Sequence, residues 1–480
     1  MKKFTFRGGV HPYEGKELTE NEPVKALEPG EELAFLLSQH IGAPASAVVK
    51  KGDHVLAGQL LAEERGFVSA RVFSSVSGTV KGIEKRRSAA GALVDAVIVQ
   101  NDYQYEEAPC EALPGMEAYC GRFVQTQAGG WYGLHDLGHR DAQEVLDLIR
   151  PDEILEKMNT ADVLNRIREA GVVGMGGAGF PTHVKLSPSD PEKIDYVLIN
   201  GSECEPYVTC DYRLLCERPG ELIAGLKAVL KLFGQVSGIF CIEDNKPEAI
   251  SVLKKALRME ESIYVAPCRT KYPEGAERSL IKAITGRDVN SKMLPADAGC
   301  IVVNVSTAYA IFEAVYLGKP DYRRLMTVSG DAAATPGNFL IPTGMYLHEI
   351  IQKAGGFRQP PEKIIAGGPM MGFAQSDLNL PATKTSSALT VFSYDIVSRE
   401  KETPCINCGR CVDACPARLV PSHLAAMVEK QRLEQFEENY GLECVNCGSC
   451  SWSCPAKRPL AALIFQGRQT ILARKRKARK

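Results

Sequence analysis

The chain has 480 residues, more than the ~250–300 that one hydrophobic core normally serves, so we expect several domains. Its 57 Lys and Arg residues against 58 Asp and Glu residues leave a net charge of −1, which gives no support for nucleic-acid binding. No apolar run reaches the ~18 residues of a membrane span, and residues 1–8 lack the apolar centre of an export signal. The sequence therefore predicts a chain of the cytoplasm, free or docked on a membrane from that side.

Residues 30–100 are rich in glycine and valine and carry short alternating apolar runs, which predicts β-structure. Two segments, KGDHVLAGQ (51–59) and SVSGTV (75–80), resemble the two halves of a barrel-sandwich hybrid, the fold of biotinyl and lipoyl carriers. A carrier needs a lysine at the hairpin tip between the halves, but none occurs between Lys51 and Lys81, and Phe67 falls near the tip. We therefore expect a docking module rather than a swinging arm.

Residues 105–155 match no pattern. The segment GGWYG (129–133) and the nearby His135 and His139 leave open a ligand site, but we expect a surface insertion or linker.

The next part of the chain alternates between helix and strand. Apolar residues recur at helical spacing over 154–167 and 222–232, and continuous apolar runs occur at 196–199, 239–242 and 301–303. Such runs between helices predict a parallel sheet covered on both faces. Short strands follow over 325–375, with a helix over 347–354 that ends at two glycines. This last part resembles the small β-grasp domain found beside flavin domains in respiratory enzymes.

Three segments of the α/β region are candidates for a ligand site. GMGGAGFPT (174–182), followed by Lys185, lets backbone N–H groups approach a phosphate or a flat ring, although a structural turn explains it equally well alone. NGSECEPY (200–207) follows a predicted strand, at the carboxyl end where open α/β sheets bind ligands. YPEGAE (272–277) supplies an aromatic ring, a glycine and a carboxylate before a helix.

Two cysteine runs near the end of the chain share the pattern C-x-x-C-x-x-C-x-x-x-C-P, at 405–416 and 444–455. This is the spacing of a bacterial two-cluster ferredoxin, in which the fourth cysteine of each run ligates the other run's cluster. We predict one [4Fe–4S] cluster on Cys405, Cys408, Cys411 and Cys454, and a second on Cys444, Cys447, Cys450 and Cys415. A zinc site needs no third cysteine in the run, and a disulfide framework belongs to short secreted chains. Residues 422–440, between the runs, are predicted to be helical, as in α-helical ferredoxins.

The three ligand segments together resemble the FMN- and NADH-binding domain of the NADH-oxidising subunit of respiratory complex I. With the N-terminal module and the twin cysteine runs, the domain order resembles the RnfC family, which belongs to the Rnf ion-translocating ferredoxin:NAD⁺ oxidoreductase complexes. The segments GGVHP (8–12), QHIGAP (39–44) and GGPMMG (367–372) are also similar to that family.

The resemblance implies a multidomain α/β chain with the following parts: a barrel-sandwich hybrid domain (1–104), an insertion or linker (105–155), a Rossmann-like FMN/NADH domain (156–322), a β-grasp, SLBB-like domain (323–395), a two-cluster ferredoxin domain (396–467) and a basic tail (468–480). The tail contains no acidic residue and is either a solvated, disordered end or a contact with an anionic membrane or acidic partner.

Carried over by position, the resemblance implies two groups of cofactor contacts. Contacts to FMN are implied for Gly174, Gly176, Gly177 and Lys185 (phosphate and ring), for Asn200, Ser202 and Glu203 (isoalloxazine or ribityl chain) and for Asn304 and Thr307 (phosphate side). For NADH, Phe180 would lie near the nicotinamide and Glu205 and Glu277 would face the ribose, while Tyr272 and Gly275 of the third segment are further cofactor-binding residues. Met175 stands where the complex I pattern has arginine, and Ala276 where it has glutamate. One charged contact of each sign is therefore missing.

The resemblance also implies a function. The chain would pass electrons between NAD(H), FMN and two [4Fe–4S] clusters, peripherally bound at the cytoplasmic side of the cell membrane. Integral membrane and iron–sulfur subunits would couple it to ferredoxin and to Na⁺ or H⁺ transport. No catalytic side chain is expected, because the cofactors carry the chemistry. The alternatives are a soluble flavin and iron–sulfur reductase for a corrinoid or an amino-acid reductase, and a non-enzymatic cluster scaffold.

Overall fold

The computed structural model describes residues 3–114, 116 and 155–478. The segment 129–133, His135 and His139 lie outside the described residues, so the expectation of an insertion or linker stays a prediction. Three helices and most strands predicted from the apolar runs are present. The structure adds one feature that the motifs do not indicate, a long N-terminal strap.

The N-terminal strap, residues 3–26, leaves the barrel-sandwich module and crosses three later modules. Phe4 pairs with Cys268 and Val10 pairs with Tyr272, both in the α/β domain. Strand β1 (Val24–Ala26) then pairs in parallel with a strand of the β-grasp domain that begins at Gly337. Residues 3–26 therefore pack against parts of the chain made much later, and the boundary predicted at 1–104 stays a prediction.

The barrel-sandwich module consists of two small sheets packed face to face. Its strands are β2 (Glu32–Leu36), β3 (Ser46–Ala47), β4 (His54–Val55), β5 (Leu60–Glu63), β6 (Val72–Phe73), β7 (Gly78–Arg87) and β8 (Leu93–Asn101). The sheet orders are β2-β8-β7-β4 and β3-β5-β6. Phe67 lies in the loop between β5 and β6, where the sequence count puts it, and its side chain is 71% exposed. The tip of this module thus presents an aromatic ring in place of a carrier lysine.

The α/β domain has a parallel sheet in the order β11-β10-β9-β12. Its strands are β9 (Tyr196–Gly201), β10 (Ser237–Glu243), β11 (Ile263–Cys268) and β12 (Cys300–Asn304). Its helices are α1 (Thr160–Glu169), α2 (Thr182–Lys185), α3 (Cys210–Glu217), α4 (Pro219–Leu230), α5 (Pro247–Ala256), α6 (Glu277–Thr285) and α7 (Val305–Leu317). The carboxyl ends of β9 and β12 are neighbours, since Asn200 and Asn304 are partners in the strand register. Two of the residues implied to bind FMN are thereby brought together.

The β-grasp domain follows directly. It contains β13 (Arg323–Ser329), β14 (Gly337–Pro342), α8 (Leu347–Lys353), β15 (Lys363–Ala366), β16 (Phe373–Ala374) and β17 (Ala388–Phe392). The sheet order is β1-β14-β13-β17-β15-β16, so the N-terminal strap supplies one edge strand.

The last module is helical. It contains α9 (Ile396–Arg399), α10 (Arg410–Asp413), α11 (Pro421–Glu429), α12 (Leu433–Glu438), α13 (Ser449–Trp452) and α14 (Leu460–Ala478). The single helix predicted over 422–440 is wrong, because the chain breaks at Gln431, which takes a left-handed φ of 55°. Helix α14 runs through most of the predicted basic tail, and Ile471 is buried against Phe436. The expectation of a disordered end is therefore also wrong for residues 468–478. None of the helices in the described part of the chain combines the length and apolarity needed to cross a membrane.

Candidate cofactor sites

The eight cysteines of the two runs line two cavities. The inner cysteine set consists of Cys415, Cys444, Cys447 and Cys450. The outer cysteine set consists of Cys405, Cys408, Cys411 and Cys454. Each cavity thus combines three cysteines of one run with the fourth cysteine of the other, which is the grouping that the spacing predicts. Four thiols around one cavity are the donor set that a [4Fe–4S] cluster requires, and their ligation of iron stays a prediction.

Backbone N–H groups approach the sulfur atoms in the same way in both runs. Asn407 donates its N–H to Cys405 Sγ at 3.5 Å, and Asn446 donates its N–H to Cys444 Sγ at 3.4 Å. Both asparagines take left-handed φ angles, 55° and 58°. Hydrogen bonds to cluster sulfurs are one of the means by which proteins tune cluster potentials, so the two sites share this element.

The two cysteine sets differ in their surroundings. Cys405 and Cys408 of the outer set are exposed to solvent, whereas Cys447 and Cys450 of the inner set are buried. The inner set lies against the α/β domain, where the hydroxyl of Tyr272 donates to the carbonyl oxygen of Cys447 at 2.7 Å. The third predicted ligand segment is therefore in direct contact with the inner set.

The glycine-rich segment forms a closed loop whose tip is open to solvent. Gly174 donates its N–H to Phe180 O at 2.8 Å, and Met175 donates its N–H to Thr307 Oγ1 at 2.9 Å. Residues 176–178 are exposed. A Cβ on Gly176 would lie 3.0 Å from Asn304 Cβ, so a side chain there would press on the residue that precedes α7. An open backbone beside a helix N-terminus fits a phosphate or a flat ring.

Asn200 joins the second ligand segment (200–207) to the third (272–277). Its Nδ2 donates to Gly275 O at 2.8 Å, and its Oδ1 accepts from Ser202 N at 3.3 Å. The hydroxyl oxygen of Ser202 is buried and has no hydrogen-bond partner within the described residues. Buried hydroxyl groups are nearly always hydrogen-bonded, so this atom fits a contact with a bound group. The structure thus brings Asn200, Ser202 and Gly275 together at the carboxyl end of β9.

Glu203 has a structural role that its motif does not indicate. Its carboxylate accepts from the backbone N–H groups of Asp211 (2.7 Å) and Tyr212 (3.1 Å) at the start of α3. A carboxylate at this position caps the helix and favours its dipole. Burial raises the pKa of Glu203 to about 7, against the opposing charge of Lys16. A direct contact between Glu203 and the flavin stays a prediction.

Glu205, implied to face the NADH ribose, lies at the border with the β-grasp domain. Its Oε2 accepts from Met370 N at 3.1 Å, and a Cβ on Gly368 would lie 2.3 Å from the same oxygen. Burial raises the pKa of Glu205 to about 7. One face of this carboxylate is therefore engaged by another domain, and its contact with ribose stays a prediction.

Lys185 and Glu277, implied to contact different ligands, form an ion pair with each other. Lys185 Nζ lies 2.8 Å from Glu277 Oε1 and donates to Val302 O at 3.0 Å. A phosphate contact by Lys185 would have to share the ammonium with this carboxylate. Phe180, implied to lie near the nicotinamide, is partly exposed at the end of the glycine-rich loop.

Sequence reasoning missed two charged residues of the site. The carboxylate of Asp211 accepts from Asn304 Nδ2 and from Ser306 Oγ, both at 2.6 Å. The buried guanidinium of Arg324, in β13, donates to Met175 O at 3.3 Å. It brings a positive charge beside the residue that replaces the arginine of the complex I pattern. No local signal links either residue to the glycine-rich segment, because the contacts form only in three dimensions.

Family models match four consecutive parts of the chain. They are the RnfC barrel sandwich hybrid domain (4–104), the Nuo51 FMN-binding domain (167–313), the SLBB domain (325–374) and the 4Fe-4S dicluster domain (404–458). The chain is 39% identical over 477 residues to the C subunit of the Na⁺-translocating ferredoxin:NAD⁺ oxidoreductase complex of Acetobacterium woodii, and the match covers 99% of both chains. It is 40% identical over 438 residues to the C subunit of the proton-translocating ferredoxin:NAD⁺ oxidoreductase complex of Clostridium ljungdahlii, covering 91% of this chain and 87% of that protein.

The chain belongs to the RnfC family.

Membership in the RnfC family confirms the predicted fold class, with its barrel-sandwich, flavin, SLBB and dicluster domains in the expected order. The flavin and dicluster matches confirm FMN and [4Fe–4S] clusters as cofactors. The individual contacts to these cofactors stay predictions, as do the domain boundaries.

Proposed function

We propose that this protein is the electron-transfer subunit of an ion-translocating ferredoxin:NAD⁺ oxidoreductase complex, and that it exchanges electrons between NAD(H) and two [4Fe–4S] clusters with the help of FMN. The observation that carries the proposal is the contact between the two sites, in which Tyr272 donates to the carbonyl oxygen of Cys447. Relatives that match nearly the whole chain carry the name of such a subunit.

FMN, when bound, exchanges a hydride with nicotinamide and single electrons with iron–sulfur clusters. In this chain the open backbone at residues 176–178 and the unpartnered hydroxyl of Ser202 would hold it. Tyr272 is 2% exposed and fills the space between the flavin segments and the inner cysteine set, so it excludes water there. Burial also raises the pKa of the Tyr272 phenol, which keeps its proton for the hydrogen bond to Cys447 O.

The two alternatives account for less of the molecule. The near full-length match to a subunit of a translocating complex favours a complex subunit over a soluble reductase. A cluster scaffold without flavin would not explain the match to a flavin-binding domain or the buried hydroxyl of Ser202, which has no hydrogen-bond partner in the described residues.

The outer cysteine set marks the face where a redox partner docks. Ile406, which lines the outer cavity, is 67% exposed. Val412, next to Cys411 in sequence, is 36% exposed, and Trp452, two residues before Cys454, is 51% exposed. Exposed apolar groups beside an exposed redox site suit a protein interface. We place an iron–sulfur or membrane subunit of the complex at this face.

The end of α14 is the proposed contact with the cytoplasmic membrane surface. Arg474 and Lys475 are paired with Glu434 and Glu437 of α12, but the helix continues with further exposed basic residues, Arg476 and Lys477 among them. Each basic group near an anionic surface contributes about 1 kcal/mol. Reversing Arg476 and Lys477 to Glu is expected to weaken membrane association at low salt, whereas the same reversal of the exposed Lys50 and Lys51 is expected to leave it unchanged.

The proposed function is tested on protein purified without oxygen. We expect a flavin absorbance band, and we expect NADH to reduce both clusters, as followed by electron paramagnetic resonance. Protein with both clusters assembled but with no flavin and no NADH-dependent reduction would contradict the proposal and favour the scaffold.

A further inference from the structure

Two buried ammonium groups hold the loop that follows β9. Lys16 Nζ donates to the carbonyl oxygens of Glu203 (2.8 Å), Glu205 (3.1 Å) and Val208 (2.6 Å). Lys246 Nζ donates to Ser202 O at 2.6 Å. Four carbonyl groups of this seven-residue loop are therefore turned toward lysines. Because a trans peptide points its N–H opposite to its C=O, the N–H groups of Glu203 and Cys204 face away from the lysines. Glu205 is followed by Pro206, which has no N–H, and Val208 by Thr209, whose N–H donates to Thr327 Oγ1 at 3.1 Å.

The two lysines carry their charges in a region shielded from solvent. Lys16 is 6% exposed and Lys246 is 1% exposed. Lys246 also lies 3.3 Å from the buried carboxylate of Glu243, whereas all three protons of Lys16 go to neutral carbonyls. Burial, followed by the charge of Lys246, lowers the pKa of Lys16. A charge with little screening acts over a longer range than one at the surface.

The loop does not have the backbone conformation of a relaxed turn. Glu203 and Tyr207 have φ angles of 46° and 65°, in the left-handed region that residues other than glycine rarely adopt. Strain of this kind persists only where the surroundings hold the backbone in place. Lys16 bonds to three carbonyls between Glu203 and Val208, more than any other side chain described for this stretch, so it is a main restraint on the backbone there.

Lys16 reaches the loop from the N-terminal strap, 187 residues earlier in the chain. The strap is fixed on both sides of it. Tyr207 donates its N–H to Glu14 O at 2.7 Å, and the hydroxyl groups of Thr19 and Thr209 lie 2.7 Å apart. Lys16 is therefore anchored independently of any ligand.

We propose that Lys16 is a positioning residue for the flavin, one that acts through the 202–208 loop. It holds the loop in the shape that presents Ser202 to the cofactor, next to Asn200 at the end of β9, and it puts a positive charge behind that loop. A fixed cation favours the more negative form of a nearby group. The flavin should therefore bind less tightly and be harder to reduce when this charge is lost. The inference rests on the proposed function, because it requires that this site binds FMN.

The test compares Lys16→Met, Lys16→Arg and Lys16→Gln in the full-length protein. Lys25→Met is the matched control, because Lys25 lies on the same strap with its side chain 46% exposed and pairs only with Glu22 among the described residues. The readouts are FMN affinity after flavin removal, the flavin midpoint potential and the cluster signals. For Lys16→Met we expect FMN binding at least roughly tenfold weaker, since hydrogen bonds from a charged group are lost. Cluster signals and the Lys25→Met variant should match the wild type.

Two outcomes separate this inference from the proposed function. If wild-type protein binds no FMN, the proposed function fails. If wild-type protein binds FMN and Lys16→Met does so with the same affinity and potential, only the role of Lys16 is wrong. Should Lys16→Met fail to fold, the Arg and Gln variants decide, because both can donate to the carbonyls and only Arg is charged. A higher flavin potential in Lys16→Arg than in Lys16→Gln supports the inference, and equal potentials overturn it.

Discussion

The inner and outer cysteine sets are built from the same motif and lie in opposite surroundings. Both place an asparagine N–H against the first cysteine of the run, and both exchange their fourth cysteine. Yet Cys405 and Cys408 are exposed, whereas Cys447 is buried beneath Tyr272. The same motif therefore stands in two environments, and packing against the α/β domain distinguishes the inner set from the exposed outer set.

The two sites also differ in charge. Arg458 lines the outer cavity and is paired with Glu402 at 3.1 Å and with Glu429. Arg468 lies one helical turn after Ile464, which lines the inner cavity, and its buried Nε has no hydrogen-bond partner in the described part of the chain. The positive charge beside the outer site is thus compensated, and the one beside the inner site is not fully compensated. We expect the inner site to be the easier of the two to reduce.

Removing a fourth cysteine has the largest expected effect. Cys415→Ala should abolish the cluster of Cys444, Cys447 and Cys450 and spare the cluster that lies beside it in sequence. Cys454→Ala should do the reverse, because the cavities exchange these two residues. Electron paramagnetic resonance of the reduced variants distinguishes the two signals. Loss of the Cys405–Cys411 cluster alone in Cys415→Ala would refute the exchange.

The two predicted clusters should also differ in their resistance to chelators and oxygen. An iron chelator or limited oxygen is expected to destroy the outer cluster first, because Cys405 and Cys408 are exposed, whereas Cys447 and Cys450 of the inner set are buried and no inner cysteine is exposed. Iron release and the two paramagnetic signals would be followed together over time. Simultaneous loss of both signals would mean that exposure does not control their stability.

The contact between the strap and the inner set can be broken at Gly8. Its φ is +87°, and a Cβ there would lie 2.7 Å from Cys415 O. Gly8→Ala should lower stability and slow the reduction of the inner cluster by NADH, as measured by thermal unfolding and stopped-flow spectroscopy. Gly52→Ala is the control, because Gly52 has a φ of +93° with nothing within 4 Å of a Cβ. Both variants incur the left-handed backbone cost of about 1–2 kcal/mol, so any further loss in Gly8→Ala comes from the contact.

The smallest expected effect concerns the charge of Arg468. Arg468→Gln should lower the midpoint potential of the inner cluster while leaving the outer cluster unchanged. A charge worth about 1 kcal/mol at the effective dielectric of a protein corresponds to roughly 40 mV for a one-electron couple. Redox titration followed by electron paramagnetic resonance measures the shift. The matched change is Arg458→Gln, which should move the outer cluster less, since it removes a charge that two carboxylates already offset.

Patterns within short stretches of sequence predicted the ligands and the strands. The cysteine spacing grouped the eight thiols as the cavities do, and the apolar runs located β9, β10 and β12. Strand β11 was not predicted, because Ile263–Cys268 is an edge strand that includes a proline and an exposed tyrosine. The supports of the flavin segments, Lys16, Asp211 and Arg324, could not be predicted, since each acts through contacts between segments far apart in sequence.

The strap has a consequence for how this protein can be handled in the laboratory. A chain shortened to begin at residue 30, at the edge of the barrel-sandwich module, would keep every glycine-rich segment and every cysteine run. It would lose the three carbonyl contacts of Lys16, the packing of Gly8 on Cys415 and the edge strand beside β14. Fusion tags on the amino terminus carry a related risk, because Phe4 is already paired with Cys268. A tag at the other end would leave these contacts intact, but it would lie beside Arg476 and Lys477, the proposed membrane contact.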